Sequence, residues 1–529
     1  MEERSHHKIW SLGSGLKSII LCSFAIVFIT FLSFQSVLYN DFVNWDDDVI
    51  LLRNPLVRSL TVDNIIRIFK TPVLKIYCPL TILTFAFEYR FFQLNPFFYH
   101  LNNLILHLAV VWLIFYFFIQ LGFNQKVAAL AALIFGIHPM HVESVAWVTE
   151  RKDVLYTFFY MLSLNCYLIY THRQKKAFFY TAVLIGCLSF LSKPMAISLP
   201  LVFYLCDWFK GRKFTWRVIV EKGPLFLMLI PVTWMTLKNM EQVAYSTNII
   251  NEIVKVVWIT MFYLWKFFVP LSYTMFYDIP RPFTLSGPMY FLSLIVFVLW
   301  VASMVRFRRN KVYLFANLYF ILSIFFVLRR VQVHSPGAEP FYSIEDRFMY
   351  LPSLGYCLLI GSAFHHMFDA ARKKGGIRIL TVCNGLAFVF VYLSFLTYLQ
   401  TQVWKNSLTL WDSVIAANPE RAIAYNNRGV RQMDLILALS DFNLCLQIDP
   451  HFIEAYFNRA NTYSKLGKPD KAIEDYTKCI QFNPLDAQAY YLRSKHYGFV
   501  GDMRHAYLDA IKARDLGFKD DGYYKQVLP

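Results

Sequence analysis

Phe135–Asp153 reads FGIHPMHVESVAWVTERKD, and the fold turns on how this stretch is understood. Before it, Val127–Ile137 is apolar, and after it Val154–Tyr170 is apolar again. Between them stand Glu143, Glu150, Arg151, Lys152 and Asp153, with His138 and His141. Ionisable side chains are costly in hydrocarbon, so a run of them between two apolar stretches marks the place where a chain emerges from a membrane and returns. Such residues are also functional candidates by default.

Working outward, a span needs about 20 mostly apolar residues, and an excess of Lys and Arg marks the cytoplasmic side. About eleven spans are predicted on that basis: Ser18–Val37, Phe97–Ile119, Val127–Ile137 extended through His141, Val154–Tyr170, Ala177–Leu191, Met195–Phe209, Val218–Leu237, Met289–Met304, Val312–Leu328, Met349–Phe368 and Ile379–Leu399. The cytoplasmic side then holds the N-terminus at 1–17 and the short breaks with Lys126, with Arg173, Lys175 and Lys176, with Lys210, Arg212 and Lys213, with Arg306–Lys311, and with Arg372–Arg378. Asn251–Val269 is apolar enough to cross but carries Glu252, Lys255 and Lys266. A crossing there would invert the charge pattern, so it is expected to be re-entrant or interfacial on the outer side. Pro79–Phe92 is expected to lie along the interface. The expected class is all-α.

Composition agrees. Of 529 residues, 57% are hydrophobic and 16% charged, against roughly 25% charged in a soluble domain. The net charge of +17 sits in the breaks between apolar runs, which excludes a nucleic-acid partner. Cys22, Cys166, Cys187, Cys206, Cys357 and Cys383 fall inside apolar segments as small hydrophobes, so no disulfide framework is expected.

After Gln400 the chain changes character. Pro450 and Pro484, Tyr456 and Tyr490, and Ala472 and Ala506 are each 34 residues apart, the period of a tetratricopeptide repeat. Ile453–Asp486 is the fullest copy, with Tyr456, Ala460, Tyr463, Gly467, Ala472, Tyr476 and Pro484 at the spaced aromatic and small positions. An earlier copy lacks three residues between its helices, and a later one is weaker. About three repeats over 421–518 are expected within a 401–529 α-solenoid. Asn427 and Asn458 occupy the same position of their first helices, where an amide is suited to a peptide backbone or is an ordinary polar groove residue.

Four outer loops carry chemistry. Asp46, Asp47 and Asp48 follow the first span, and adjacent carboxylates suit a general base or a metal site, although an acidic triplet also reads as a solvated loop or helix cap. His138, His141 and Glu143 read as metal ligands or as a hydrogen-bonded helix end. Arg151 and Lys152 suit a phosphate oxyanion, as does Lys193 in the turn Leu191–Pro194. Glu345, Asp346 and Arg347 put an acidic pair and an arginine at the mouth of a later span.

The stretches Phe42–Asp47, His138–Asp153, Ser192–Met195 and Asp346–Pro352, followed by repeats, resemble bacterial relatives of the transmembrane-and-tetratricopeptide-repeat O-mannosyltransferases. The resemblance covers nearly the whole chain. It implies a GT-C glycosyltransferase membrane domain over 18–400, an inverting enzyme, a polyprenyl-phosphate-linked sugar donor and transfer to Ser/Thr hydroxyls of proteins. It matches Asp46 or Asp47 to a catalytic carboxylate, Glu143, Arg151, Lys152 and Asp153 to a second-loop motif, and Arg347 to a late-loop arginine. A divalent metal is left open. The repeats are expected on the non-cytoplasmic side, binding acceptor protein. The absence of an Asn-x-Ser/Thr sequon fits a bacterial inner membrane and periplasm better than the endoplasmic reticulum and its lumen.

Overall fold

The computed structural model describes residues 14–74, 76–238, 249–328, 332–333 and 341–527. The expectations for the basic N-terminus at 1–13, and for the outer loops at 239–248 and 334–340, lie outside them. The chain divides into two units, one formed mainly by the residues up to Lys405 and one by Asn406–Pro529 with the short segments 276–278 and 332–343.

The first unit is helical, and its predicted spans fall into two classes by length. Six helices of the described residues are long and apolar enough to cross a bilayer: Lys17–Tyr39, Pro96–Leu121, Val148–Arg173, Trp216–Thr236, Pro288–Arg306 and Ile377–Val403. Gln125–Gly136 and Pro139–Ala146 make a seventh only as a pair bent by 54°. Proline at the start of the second piece and the carbonyls that bond His138 and His141 account for the break. Three further expected spans are the helices Lys176–Ser192, Leu199–Phe209 and Lys311–Ile324, of 17, 11 and 14 residues. At 1.5 Å per residue these cover about 16–26 Å, short of a ~30 Å hydrocarbon core. The expected Met349–Phe368 begins later, at Leu354, because Asp346–Met349 is a separate 3-10 turn. Length and composition therefore support six or seven full spans where about eleven were predicted.

Packing centres on Pro96–Leu121, Gln125–Gly136, Arg151–Arg173 and Leu354–Lys374. Gly361 lets the last of these approach the second closely: a Cβ there would lie 2.9 Å from Ala131 N and 3.0 Å from Val127 O. Pro79–Phe92, expected along the interface, instead packs into the unit, burying Ile82, Phe85, Ala86 and Glu88 while Thr81 Oγ1 donates to Ser192 O at 2.9 Å. Ile249–Phe268 is a helix whose charges are locally compensated. Lys255 Nζ lies 2.7 Å from Glu252 one turn back, and Lys266 Nζ donates to the carbonyls of Leu271 and Ser272 at 2.8 and 2.9 Å.

The second unit is an α-solenoid with a small sheet, Tyr277–Asp278, Phe341–Ile344 and Gln332–Val333, in that order. After Ser407–Ala417 come three helix pairs: Ala422–Arg431 with Leu435–Ile448, Ile453–Lys465 with Pro469–Phe482, and Ala487–Phe499 with Met503–Asp515. Ala438, Ala472 and Ala506 are buried at equivalent positions, where small side chains let paired helices close. Each first helix carries an arginine that bonds an aspartate of its own second helix: Arg428 to Asp441, Arg459 to Asp475 and Arg493 to Asp509. The same guanidinium also reaches the helix before it, donating to Asp412 (2.8 Å), Asn443 (2.7 Å) and Thr477 (2.9 Å) respectively.

Candidate functional site

Three of the four charge-bearing loops of the first unit converge on one carboxylate, Glu150, and the fourth reaches it through Lys152. Glu150 is fully buried, with Lys152 Nζ at 2.8 Å, Arg347 Nε at 3.3 Å and Lys193 Nζ at 3.5 Å. A lone buried carboxylate is prohibitive, whereas one shared by three cations from separate segments ties those segments together. Around it, Lys193 Nζ lies 2.5 Å from Asp153, and Ser144 Oγ donates to that same carboxylate at 3.2 Å. Arg347 pairs also with Glu143 and Glu345, and its guanidinium lies over the Trp147 ring at 5.1 Å from the centroid. Glu143 further accepts from Arg347 N at 3.2 Å.

Asp46 and Asp47 differ sharply within this setting. The Asp47 carboxylate is 1% exposed and accepts two backbone N–H groups, from Val43 at 3.0 Å and from Thr149 at 3.1 Å. It pins the loop after the helix Lys17–Tyr39 to the Phe135–Asp153 stretch, and burial pushes its pKa up to about 7. The Asp46 side chain is 25% exposed, with Lys152 Nζ at 3.9 Å. Burial raises its pKa too, offset in part by Lys152. Asp46 is thus the carboxylate of the triplet that is placed at the cations and is partly exposed. Asp48 opens the helical turn Asp48–Leu52.

Other expected site residues lie elsewhere or do other work. Arg151 does not join the cluster: its guanidinium bonds Glu88, Asn103 Oδ1 (2.7 Å) and Tyr99 O (2.8 Å) and stacks on Phe85 at 4.6 Å. Consecutive helical residues point about 100° apart, so Arg151 and Lys152 face different neighbours. His138 bonds Phe267 O (3.0 Å) and Met140 N (3.3 Å), and His141 bonds Phe135 O (2.7 Å) and Ser353 Oγ (2.9 Å). His138 and His141 thus bond at helix ends and Glu143 pairs with Arg347; among the described residues no three His, Cys, Asp or Glu side chains are grouped to hold a metal. Asp346 is buried in the turn beside Arg347. In the repeats, Asn458 Nδ2 donates to Asn426 Oδ1 at 3.0 Å, and Asn426 Nδ2 donates to Asn427 Oδ1 at 3.1 Å. The two expected asparagines are therefore linked through a third. Glu150 and Glu345 stood out in the sequence as ionisable residues of their loops, but neither was given a role of its own there.

A tetratricopeptide-repeat family model matches residues 453–485. Human protein O-mannosyl-transferase TMTC3 is 25% identical over 446 residues, covering 75% of this chain and 47% of that protein. A Caenorhabditis elegans protein O-mannosyl-transferase is 23% identical over 450 residues, covering 79% and 60%. This chain is a relative of the protein O-mannosyl-transferases. It spans about half the length of the human relative. Mouse protein O-mannosyl-transferase TMTC2 is 34% identical over 152 residues, 28% of this chain and 18% of its own. Among solved structures, an Archaeoglobus fulgidus oligosaccharyltransferase tethered with an acceptor peptide aligns with 82% of this chain and 59% of its own, at a TM-score of 0.41 and 12% identity.

Proposed function

We propose that this relative of the protein O-mannosyl-transferases is a membrane glycosyltransferase of the GT-C type, moving a sugar from a polyprenyl-phosphate donor to Ser/Thr hydroxyls of proteins on the non-cytoplasmic side. The observation that carries the reading is a partly exposed carboxylate, Asp46, set 3.9 Å from Lys152 in a cluster that also holds Lys193 and Arg347. In the reaction, the acceptor oxygen attacks the anomeric carbon, a new C–O bond forms there, and the bond to the donor phosphate breaks. The acceptor proton passes to Asp46 as general base. The leaving lipid phosphate takes the bonding electron pair, and Lys152, Lys193 and Arg347 offset its charge. Attack opposite the departing phosphate inverts the anomeric centre. Asp47 and Glu150 act as positioning residues.

An apolar cavity of about 200 Å³, lined by Tyr77, Phe190, Leu191, Met228, Val232 and Met235 among others, supports a lipid-linked donor. Leu191 is two residues from Lys193, and Tyr77 adjoins Cys78, whose thiol burial pushes up to about 11 against the pull of Lys152 and Lys193. An acyl-like chain in that cavity would place a phosphate near the cations. The repeats, as a stacked-helix peptide-binding scaffold, support a protein acceptor. The test incubates purified protein with a panel of polyprenyl-phosphate sugars and candidate acceptor proteins and reads mass added to Ser/Thr. Transfer that Asp46→Asn cuts by about 10²–10⁴-fold is expected. No transfer from any donor, together with full cellular function of the Asp46 variant, would sink the enzyme reading, and sugar appearing only on lipid or polysaccharide would move the acceptor.

A further inference from the structure

The last of the long apolar helices, Ile377–Val403, ends beside two of the loops that frame the charge cluster and is fastened to both, all within the first unit. Thr397 Oγ1 donates to Ile137 O at 2.7 Å, at the entrance to the Phe135–Asp153 stretch. Ahead of Asp46, Asn40 Nδ2 donates to Thr401 O at 3.3 Å and Asp41 N donates to Lys405 O at 2.8 Å. Trp404, 2% exposed, stands among these bonds and lays its indole on that of Trp147, 22° from parallel with ring centroids 5.3 Å apart. Among the described residues it is the one aromatic ring stacked there.

Trp147 is itself fully buried and underlies two of the cations. The Arg347 guanidinium lies 5.1 Å from its centroid and Lys152 Nζ 6.0 Å. A stacked indole fills one face of a ring, so the guanidinium takes the other. Ion pairs with Glu150 set the distance of these cations but hold their direction loosely. A ring face adds an attraction that depends on where the cation sits above it, and the plane of that ring is held by Trp404. We infer that Trp404 is a positioning residue for the donor phosphate: through Trp147 it orients Arg347 and Lys152 toward a phosphate monoester on a prenyl chain. This role rests on the proposed reading of the cluster as the place where the donor phosphate is held.

Packing and positioning separate by shape. Leucine or methionine at 404 fills apolar volume but offers no flat face, whereas phenylalanine offers a smaller one. The test measures binding of farnesyl phosphate, with farnesol as its uncharged control, to the purified full chain in detergent micelles. Trp404→Leu and Trp404→Met should weaken farnesyl phosphate by about tenfold, the scale of a modest loss of alignment, and leave farnesol and the helical circular dichroism unchanged. Trp404→Phe should restore most of the loss. Because Trp404 acts through Trp147, Trp404→Leu should cost nothing further in a chain that already carries Trp147→Leu. Leucine serving as well as phenylalanine, both ligands weakened together, additive losses in the double variant, or a wild-type chain without preference for the phosphate would each overturn the inference. The expected pattern without transfer to any acceptor would instead sink the enzyme reading and leave Trp404 its role. Transfer with leucine and phenylalanine alike would do the reverse.

Discussion

Replacing Asp46 with asparagine removes one partly exposed carboxylate and little else, since its one ion pair is at 3.9 Å. Transfer is expected to fall by about 10²–10⁴-fold, the usual worth of a general base, with the fold intact by circular dichroism. Burial holds the Asp46 pKa above the ordinary carboxylate range, and only the ionised form accepts a proton. The rate should therefore rise with pH to a plateau, with its inflection above the ordinary Asp value, in a pH profile of kcat/KM. Asp47 predicts a stability effect. Its folded pKa, about 7, lies above the unfolded value of about 4, so its contribution is full below about pH 4 and is lost as pH rises through about 7. In denaturation series across that window, Asp47→Asn should flatten the slope at a cost of about 1 kcal/mol for the backbone bond it no longer accepts. Glu150→Gln leaves three cations around a neutral amide, and about 3–5 kcal/mol of destabilisation is expected by chemical unfolding. At this scale the sequence disclosed which loops matter but not which atoms. Asp46 and Asp47 became distinct only through Thr149, 102 residues away, and Arg151 was separated from Lys152 only by which side of a helix each occupies.

At the scale of elements, the apolar runs were legible because hydrophobicity is a local property. Their lengths were misjudged where a turn lay inside the run, as at Pro139 and at Asp346–Met349. The repeat was legible for the same reason, through its period. The arginine pairs between its helices were not sought, although Arg459 and Arg493 share that period. Arg459→Ala would strip Asp475 of its partner and cut the bond to Asn443. About 1–3 kcal/mol should be lost, read as faster amide hydrogen exchange across Ile453–Phe482 with the membrane helices unaffected.

For the molecule as a whole, the basic breaks alternate along the chain with the loops that supply Asp46, Glu150, Lys193 and Arg347. Alternation of that kind, with the positive-inside rule, predicts that a cysteine-accessibility tag at the C-terminus labels from the non-cytoplasmic side. Labelling only from the cytoplasm would break the proposed arrangement. The convergence of those loops was beyond reach of the sequence, because it depends on how helices of unequal length stack.

The arginines of the repeats also bear on how such an array changes in size. Each one grips backward, and the first, Arg428, grips Asp412 on a helix that belongs to no pair. Ser407–Ala417 thus offers the docking groups of a preceding repeat without being one. A further repeat inserted behind Leu435–Ile448 or Pro469–Phe482 would bring its own acid and find Asn443 or Thr477 waiting as its backward partner, so the array can lengthen at those joints from the start that Ser407–Ala417 provides.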